Sequence, residues 1–240
     1  MHMAPRFLAF DADPVTMARR LLGQRLVRVA GGERLAGTIV EVEAYLGPID
    51  RAAHTFGGRR TARNESMWRG GGFAYVYFTY GMHFCLNVVC GPVASGTAVL
   101  VRALAPTEGL AAMRARRPAA RGPTDLCSGP AKLTQALGID RACDGADLRR
   151  GEALFIEAAR TRALPTASIA ATARIGVDYA GPWARRRLRF FVRGDPNVSR
   201  ERLTPRAADD TDQRTSAGRP RRLRADDRSG VPSRAGGSGA

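Results

Sequence analysis

The first group in the chain that could do chemistry is a glutamate at the end of an apolar run. It lies in Thr38 to His54, TIVEVEAYLGPIDRAAH, where Ile39, Val40 and Val42 are β-branched and Glu41 and Glu43 stand among them. Tyr45 follows Glu43 by two residues, and a Gly47-Pro48 turn leads on to His54. A carboxylate beside a core loses its hydration, so it is either rescued by an arginine or kept for proton transfer. The second group is aromatic. Phe73 to Asn87, FAYVYFTYGMHFCLN, holds three tyrosines among phenylalanines. Tyr75 and Tyr77 fall on one face of a strand, and Tyr80-Gly81 reads as a hairpin tip that turns an aromatic outward. On a basic protein such a side chain wedges or stacks bases; the plainer alternative is a hairpin whose tyrosines pack on the core.

The elements that must carry these groups follow from pattern. Pro14 to Leu22 has helical spacing, with Met17, Leu21 and Leu22 on one side and Arg19-Arg20 on the other. Arg25 to Val29 and Thr38 to Glu43 read as strands around a Gly31-Gly32 turn, and Phe73 to Tyr80, Phe84 to Val89 and Ala98 to Ala103 as further strands. Thr107 to Arg117 reads as a helix with Thr107 as its cap and Glu108 in its first turn, ended by Pro118. Gly129-Pro130 opens a second helix to Leu137, closed by Gly138. Leu154 to Glu157 and Leu188 to Val192 are late strands. Gly57 to Arg69 is a polar surface loop; its Arg59, Arg60 and Arg63 are either solvated or placed for phosphates.

Bulk properties narrow the class. The 240 residues suit one sizeable domain, or one with a tail, and 44% hydrophobic residues can supply its core. The formal charge of +16 points to a polyanionic partner, nucleic acid ahead of anionic membrane. A single lysine, Lys132, leaves 37 of the 38 basic residues as arginine, and part of that excess reflects base composition. Residues 201–240 lose apolar periodicity and read as a disordered tail. Nine arginines and six acids there carry +3 of the charge, so residues 1–200 keep +13. No apolar run approaches the roughly 20 residues of a membrane span, and no leader pattern opens the chain, so a cytoplasmic protein is expected. Cys85, Cys90, Cys127 and Cys143 form no CxxC pair and the three histidines lack ligand spacing; buried thiols and no metal are expected.

Taken together, EVEAYLGPIDRAAH, RRTARNESM, YVYFTYGMHFCLNVV, VLVRALAPTEGLAAMR, LCSGPAKLTQALGI and ARIGVDYAGPWARRRLRFFVRG resemble, in order, the alkyladenine (3-methyladenine) DNA glycosylase family. The likeness runs from about Ala18 to Ser199, and the tail has no counterpart. It implies a monomeric, cofactor-free enzyme of base-excision repair that flips a damaged purine out of double-stranded DNA and hydrolyses its bond to the sugar. It also implies an α+β domain with a curved, largely antiparallel sheet, surrounding helices and a protruding hairpin that enters DNA. By the same resemblance Glu43 activates water, Arg102 helps to hold that water and carboxylate, and the backbone carbonyl of Ile175 completes the water site. Tyr45, His54 and Tyr77 match the walls of the base pocket, and Asn87 a residue that clashes with the amino group of normal guanine. Tyr80 matches the intercalating side chain; beside what the resemblance implies, Met82, Arg59, Arg60, Arg63 and Lys132 are expected as DNA contacts. His83 stands where relatives carry a tyrosine.

The chemistry is consistent with one carboxylate. An alkylated purine such as 3-methyladenine is already cationic and leaves without an acid, whereas ordinary glycosidases use two carboxyl groups. Lys132 opens the GPAKL helix, so it reads as a structural or phosphate-binding amine, which implies no lyase step. Two other readings stand beside this one. A catalytically silent DNA-binding module on the same scaffold would have no need of Glu43 with Arg102. A nucleosidase acting on free nucleosides would need neither the basic surface nor an outward Tyr80.

Overall fold

Residues 8–79 and 81–199 are described by the structure, a computed structural model. Tyr80 and the tail expected at 201–240 lie outside the described residues. The fold is α+β: eight antiparallel strands in one curled sheet, with three α-helices among the described residues.

The first helix, α1 (Pro14–Leu21), starts where the sequence places it. The Asp13 carboxylate accepts the N–H groups of Val15 and Thr16 at 3.0 Å, and Pro14 takes the first turn, where its missing donor costs nothing. Its apolar side buries Met17, Ala18 and Leu21. Strands β1 (Arg25–Ala30) and β2 (Glu33–Tyr45) form a hairpin with Ala30 opposite Glu33. Gly31 and Gly32, at φ 60° and 78°, supply the two left-handed residues that this two-residue turn requires. Strands β3 (Ala74–Thr79) and β4 (His83–Cys90) pair next, followed by β5 (Thr97–Glu108). The helices α2 (Leu110–Arg116) and α3 (Pro130–Leu137) come after β5, and then β6 (Leu154–Glu157), β7 (Ile169–Thr172) and β8 (Arg189–Val192).

The main run of strands is β3-β4-β5-β2-β1-β6, and β8 joins β2 as well, carrying β7. Strand β2 therefore serves two neighbours on one edge: residues 33–38 pair with β1, and 41–43 with β8. It can do this because its register with β5 breaks. Ile39 faces Leu104, Glu41 faces Ala103 and Val42 faces Val101, so Val40 in β2 and Arg102 in β5 have no opposite residue. These bulges reverse the alternation of both strands. Leu35, Ile39, Val42 and Ala44 all reach the main core, as do Leu104, Val101 and Val99. Glu41, Glu43 and Arg102 are turned to the other face. A strict period of two across 39–43 would instead put both glutamates on the side of Ile39.

Several sequence expectations differ from the structure. The strand expected at Thr38 to Glu43 extends to 33–45, and the one expected at Ala98 to Ala103 extends to Glu108. Thr107 and Glu108 are therefore strand residues, and Gly109 rather than Thr107 precedes α2. The long partner strand β2 holds them there, and Glu108 accepts hydrogen bonds from Arg25 and Arg34. Strand β7 carried no separate sequence signal. All four cysteines are free and buried. No helix among the described residues is long and apolar enough to cross a membrane.

Deleting Val40 is expected to force Glu41 and Glu43 toward the apolar face and to abolish folding. Val40→Ala keeps the register and should cost only about 1–3 kcal/mol. Circular dichroism and urea unfolding of the two variants check this.

Candidate active site

One register row crosses five strands on the sheet face opposite the main core. Tyr75 faces Asn87, Asn87 faces Leu100, Leu100 faces Glu43, and Glu43 faces Arg189. Over this row lies a cavity of about 310 Å³, walled by Tyr45, His54, Tyr75, Tyr77, Asn87, Arg102 and Ile175, among others. The sequence residues Tyr45, His54, Tyr77, Asn87, Arg102 and Ile175 are thus brought together from β2, the following loop, β3, β4, β5 and the segment after β7.

Glu43 is fully buried, directly behind that wall. Its Oε1 accepts the backbone N–H of Ile175 at 2.8 Å and faces Arg102 Nη1 at 3.2 Å; its Oε2 accepts the Tyr45 hydroxyl at 2.9 Å. All three partners line the cavity. A carboxylate oxygen has two acceptor positions; each Glu43 oxygen accepts one hydrogen bond, and the Arg102 charge is set beside Oε1 while Oε2 keeps one position free. For Ile175 it is the N–H that meets the carboxylate. Arg102 is shared, because its Nε donates to Glu41 Oε1 at 3.0 Å. Burial opposes the charge of Arg102, but the flanking Glu43 and Glu41 outweigh it and raise its pKa above the ordinary arginine value.

The loop from Tyr45 to His54 is fixed by a second buried pair. Arg174 grips Asp50 with both terminal nitrogens, at 2.5 and 2.8 Å, and both side chains are fully buried. Asp50 also accepts the N–H groups of Leu46 and Ala52, closing the loop on itself. The Arg174 guanidinium lies 4.6 Å from the centre of the Tyr45 ring, holding that ring beside Glu43. His54, at the end of the loop, meets Tyr77 edge to face at 4.5 Å and shares a 2.7 Å hydrogen bond between Nδ1 and the Tyr75 hydroxyl. Tyr75 and Tyr77 stack at 5.3 Å. Asn87 donates from Nδ2 to the Tyr75 carbonyl at 3.3 Å.

Burial sets the protonation of this wall. It is the largest influence pushing the pKa values of Tyr45, Tyr75 and Tyr77 above the usual tyrosine value, so their hydroxyls keep their protons. It also lowers that of His54 to about 4, assisted by the positive charges of Arg63 and Arg59.

The remaining sequence candidates lie outside the wall or at its mouth. Arg63 borders the cavity, donates to the Phe78 carbonyl at 2.9 Å and lies 5.6 Å from the Tyr77 ring centre. Arg60 is paired with Glu65, and Arg59 is exposed. Met82 is 69% exposed in the turn between β3 and β4. Lys132 pairs with the Asp125 carboxylate and donates to Ser128 Oγ at 3.3 Å, so its first partner is an acid on its own domain. Sequence reasoning missed Glu41 as a site residue, together with Arg189, Asp50, Arg174, Tyr75 and Tyr179. The signal available was slight: Glu41 and Glu43 share a strand face, and Tyr75 alternates with Tyr77. Among the described residues no three His, Cys, Asp or Glu side chains gather to hold a metal ion.

Residues 8–196 match the profile of a family described as methylpurine-DNA glycosylase. The chain belongs to that family. The methylpurine-DNA glycosylase relatives include the mouse DNA-3-methyladenine glycosylase, 47% identical over 220 residues, which are 88% of this chain and 64% of that protein. The human DNA-3-methyladenine glycosylase is 49% identical over 79% of this chain and 66% of its own length. A Burkholderia lata protein described as a putative 3-methyladenine DNA glycosylase is 47% identical over 79% of this chain and 88% of itself. The chain thus spans slightly less than two thirds of the length of these mammalian relatives.

Two tests follow from the geometry. Arg174→Ala leaves Asp50 buried without its partner, and a loss of about 3–5 kcal/mol in urea unfolding is expected. For His54 the folded pKa of about 4 lies below the ordinary 6.5, so the unfolded chain binds more protons between these values. Its contribution to stability is complete above about pH 6.5 and is lost as the pH falls toward 4. Urea midpoints measured from pH 7 to 4 should fall less steeply in His54→Gln than in the wild type.

Proposed function

We propose that this protein is a monofunctional DNA glycosylase that flips alkylated purines from duplex DNA and hydrolyses the N-glycosidic bond. The observation that carries the reading is Glu43, buried behind an aromatic cavity with both of its hydrogen-bond donors and its ion-pair partner Arg102 in the cavity wall. In this reading the flipped base, 3-methyladenine or 7-methylguanine, stacks on Tyr77 and against Tyr45 and His54, while Asn87 screens its edge. A water between Glu43 and the sugar attacks the anomeric carbon. The new C–O bond forms as the C–N bond breaks, and the bond electrons neutralise the cationic base. The water's proton passes to the free position on Glu43 Oε2, and Arg102 and the Ile175 N–H hold Oε1 in place.

A cationic base needs no acid to leave, which suits a cavity whose hydroxyls hold their protons and whose histidine is neutral at physiological pH. Neutral lesions such as hypoxanthine or ethenoadenine would need hydrogen bonds from the pocket in place of a protonating acid. Extrusion costs a few kcal/mol, less for damaged bases that pair and stack poorly. In this reading Tyr80 fills the gap and Met82, Arg59, Arg60 and Arg63 meet the backbone. Lys132, held by Asp125, is a structural amine, and a Lys132 adduct trapped by borohydride on abasic DNA would contradict this.

Single-turnover release of bases from methylated duplex DNA tests the mechanism. Glu43→Gln should lower the rate at least ~100-fold, with DNA affinity within a few-fold of wild type. Equal release by both would overturn the role of Glu43. Tight binding without release by either would favour the silent DNA-binding module.

A further inference from the structure

Glu41 is as buried as Glu43 and two residues from it on the same face, and neither borders the cavity directly, but only Glu43 has Tyr45, Ile175 and Arg102 of the cavity wall as its partners. Its carboxylate is held by four hydrogen bonds from this chain. Oε1 accepts Arg102 Nε at 3.0 Å, Arg189 Nε at 2.6 Å and the Ser199 hydroxyl at 2.7 Å, and Oε2 accepts the Ser199 N–H at 2.7 Å. Arg189 is in turn held by Thr172 Oγ1 and the Ser199 carbonyl, both at 3.2 Å. Oε2 keeps one acceptor position, but of these partners only Arg102 lines the cavity, so Glu41 is set back from the substrate and has no direct part in chemistry. Its position decides something else. Arg102 gives its Nε to Glu41 and one terminal nitrogen to Glu43, which stops it from closing a full fork on Glu43.

We propose that Glu41, counterbalanced by Arg189, is a positioning residue that holds Arg102 at arm's length from Glu43 and so keeps one Glu43 oxygen basic enough to take a proton from water. This rests on the hydrolytic reading of Glu43 given above. The two carboxylates and two guanidiniums sum to zero charge in a region with almost no solvent. With Glu41 made neutral, two cations face Glu43 alone. The anchor at Arg102 Nε is weakened to a neutral amide acceptor, so the Arg102 charge is drawn toward Glu43, which is then a weaker base. Neutralising Arg189 instead leaves two anions against one cation, and Glu43 becomes easier to protonate. The other groups around Glu43 are Tyr45 on β2, Arg174 beside Ile175, Tyr77 on β3 and Cys85 on β4. None of them is altered by these changes.

The decisive measurement is the pH dependence of single-turnover base release from methylated duplex DNA, for wild type, Glu43→Gln, Glu41→Gln, Arg189→Gln and the double variant Glu41→Gln/Arg189→Gln. DNA affinity is measured alongside by anisotropy. Glu41→Gln should move the acid limb of the profile down by about 1 pH unit and lower the plateau rate about tenfold, with affinity within threefold of wild type. Arg189→Gln should move the limb up, and the double variant should return it toward the wild-type position. Opposite shifts do not arise from a loss of folded protein, which lowers the whole profile without moving it. If Glu41→Gln fails to fold, the upward shift in Arg189→Gln and its reversal in the double variant carry the same test. Superimposable limbs in all the folded variants would overturn the proposal while leaving the glycosylase reading intact. A wild type that releases no base, or a Glu43→Gln that releases it normally, would overturn that reading and the proposal with it.

Discussion

The structure depends on one arginine placed between two fully buried carboxylates. Each buried ion costs several kcal/mol in lost hydration, and only close, well-hydrogen-bonded opposite charges offset that cost. Arg102 meets Glu41 through Nε and Glu43 through Nη1, and Arg189 completes the balance from the neighbouring strand. The elements that deliver these four side chains are therefore tied to one another. β2 brings both acids, β5 and β8 bring one base each, and the last described residue, Ser199, adds two further donors to Glu41. Loss of any one member leaves an uncompensated charge, which makes the group cooperative rather than a sum of pairs.

The backbone device that permits this is the double break in register between β2 and β5. A sheet strand offers one face to the core and one to the other side, and its alternation is normally unbroken. Here Val40 and Arg102 have no opposite residue, and the alternation reverses in both strands at the same level. The upstream half of β2 gives Leu35 and Ile39 to the core. The downstream half gives Val42 and Ala44 to it and turns the glutamates to the cavity side. The same break bends β2 so that its one edge serves first β1 and then β8. The orientation of the catalytic candidate thus follows from this break in register.

Around this charged floor the cavity is uniform in character. Its tyrosines are kept protonated and its histidine neutral by the same burial that makes the wall apolar. The wall can stack on a flat ring and donate a few hydrogen bonds, and it brings no second ionised acid to the cavity side of Glu43. The chain belongs to a family described as methylpurine-DNA glycosylase.

Much of this was legible in the sequence, because much of it is local. Asp13-Pro14 starts α1, Gly31-Gly32 turns the first hairpin, and Gly129-Pro130 and Gly138 bracket α3, each through backbone preferences that need no distant partner. The resemblance of ordered motifs supplied Glu43, Arg102, Ile175, Tyr45, His54, Tyr77 and Asn87, and the structure gathers all seven. What the residues by themselves left open was which partners each of the two neighbouring acids would meet. Glu41 and Glu43 have the same strand face and the same apolar neighbours. They differ in that Glu41 meets Arg189 and Ser199, about 150 residues away, while Glu43 meets Ile175 and a cavity wall. The bulge at Val40, the extension of β5 through Thr107 and Glu108, and the Asp50–Arg174 clamp were likewise decided by tertiary pairing. Register and charge balance are properties of strands brought side by side, and no local stretch of sequence contains both partners.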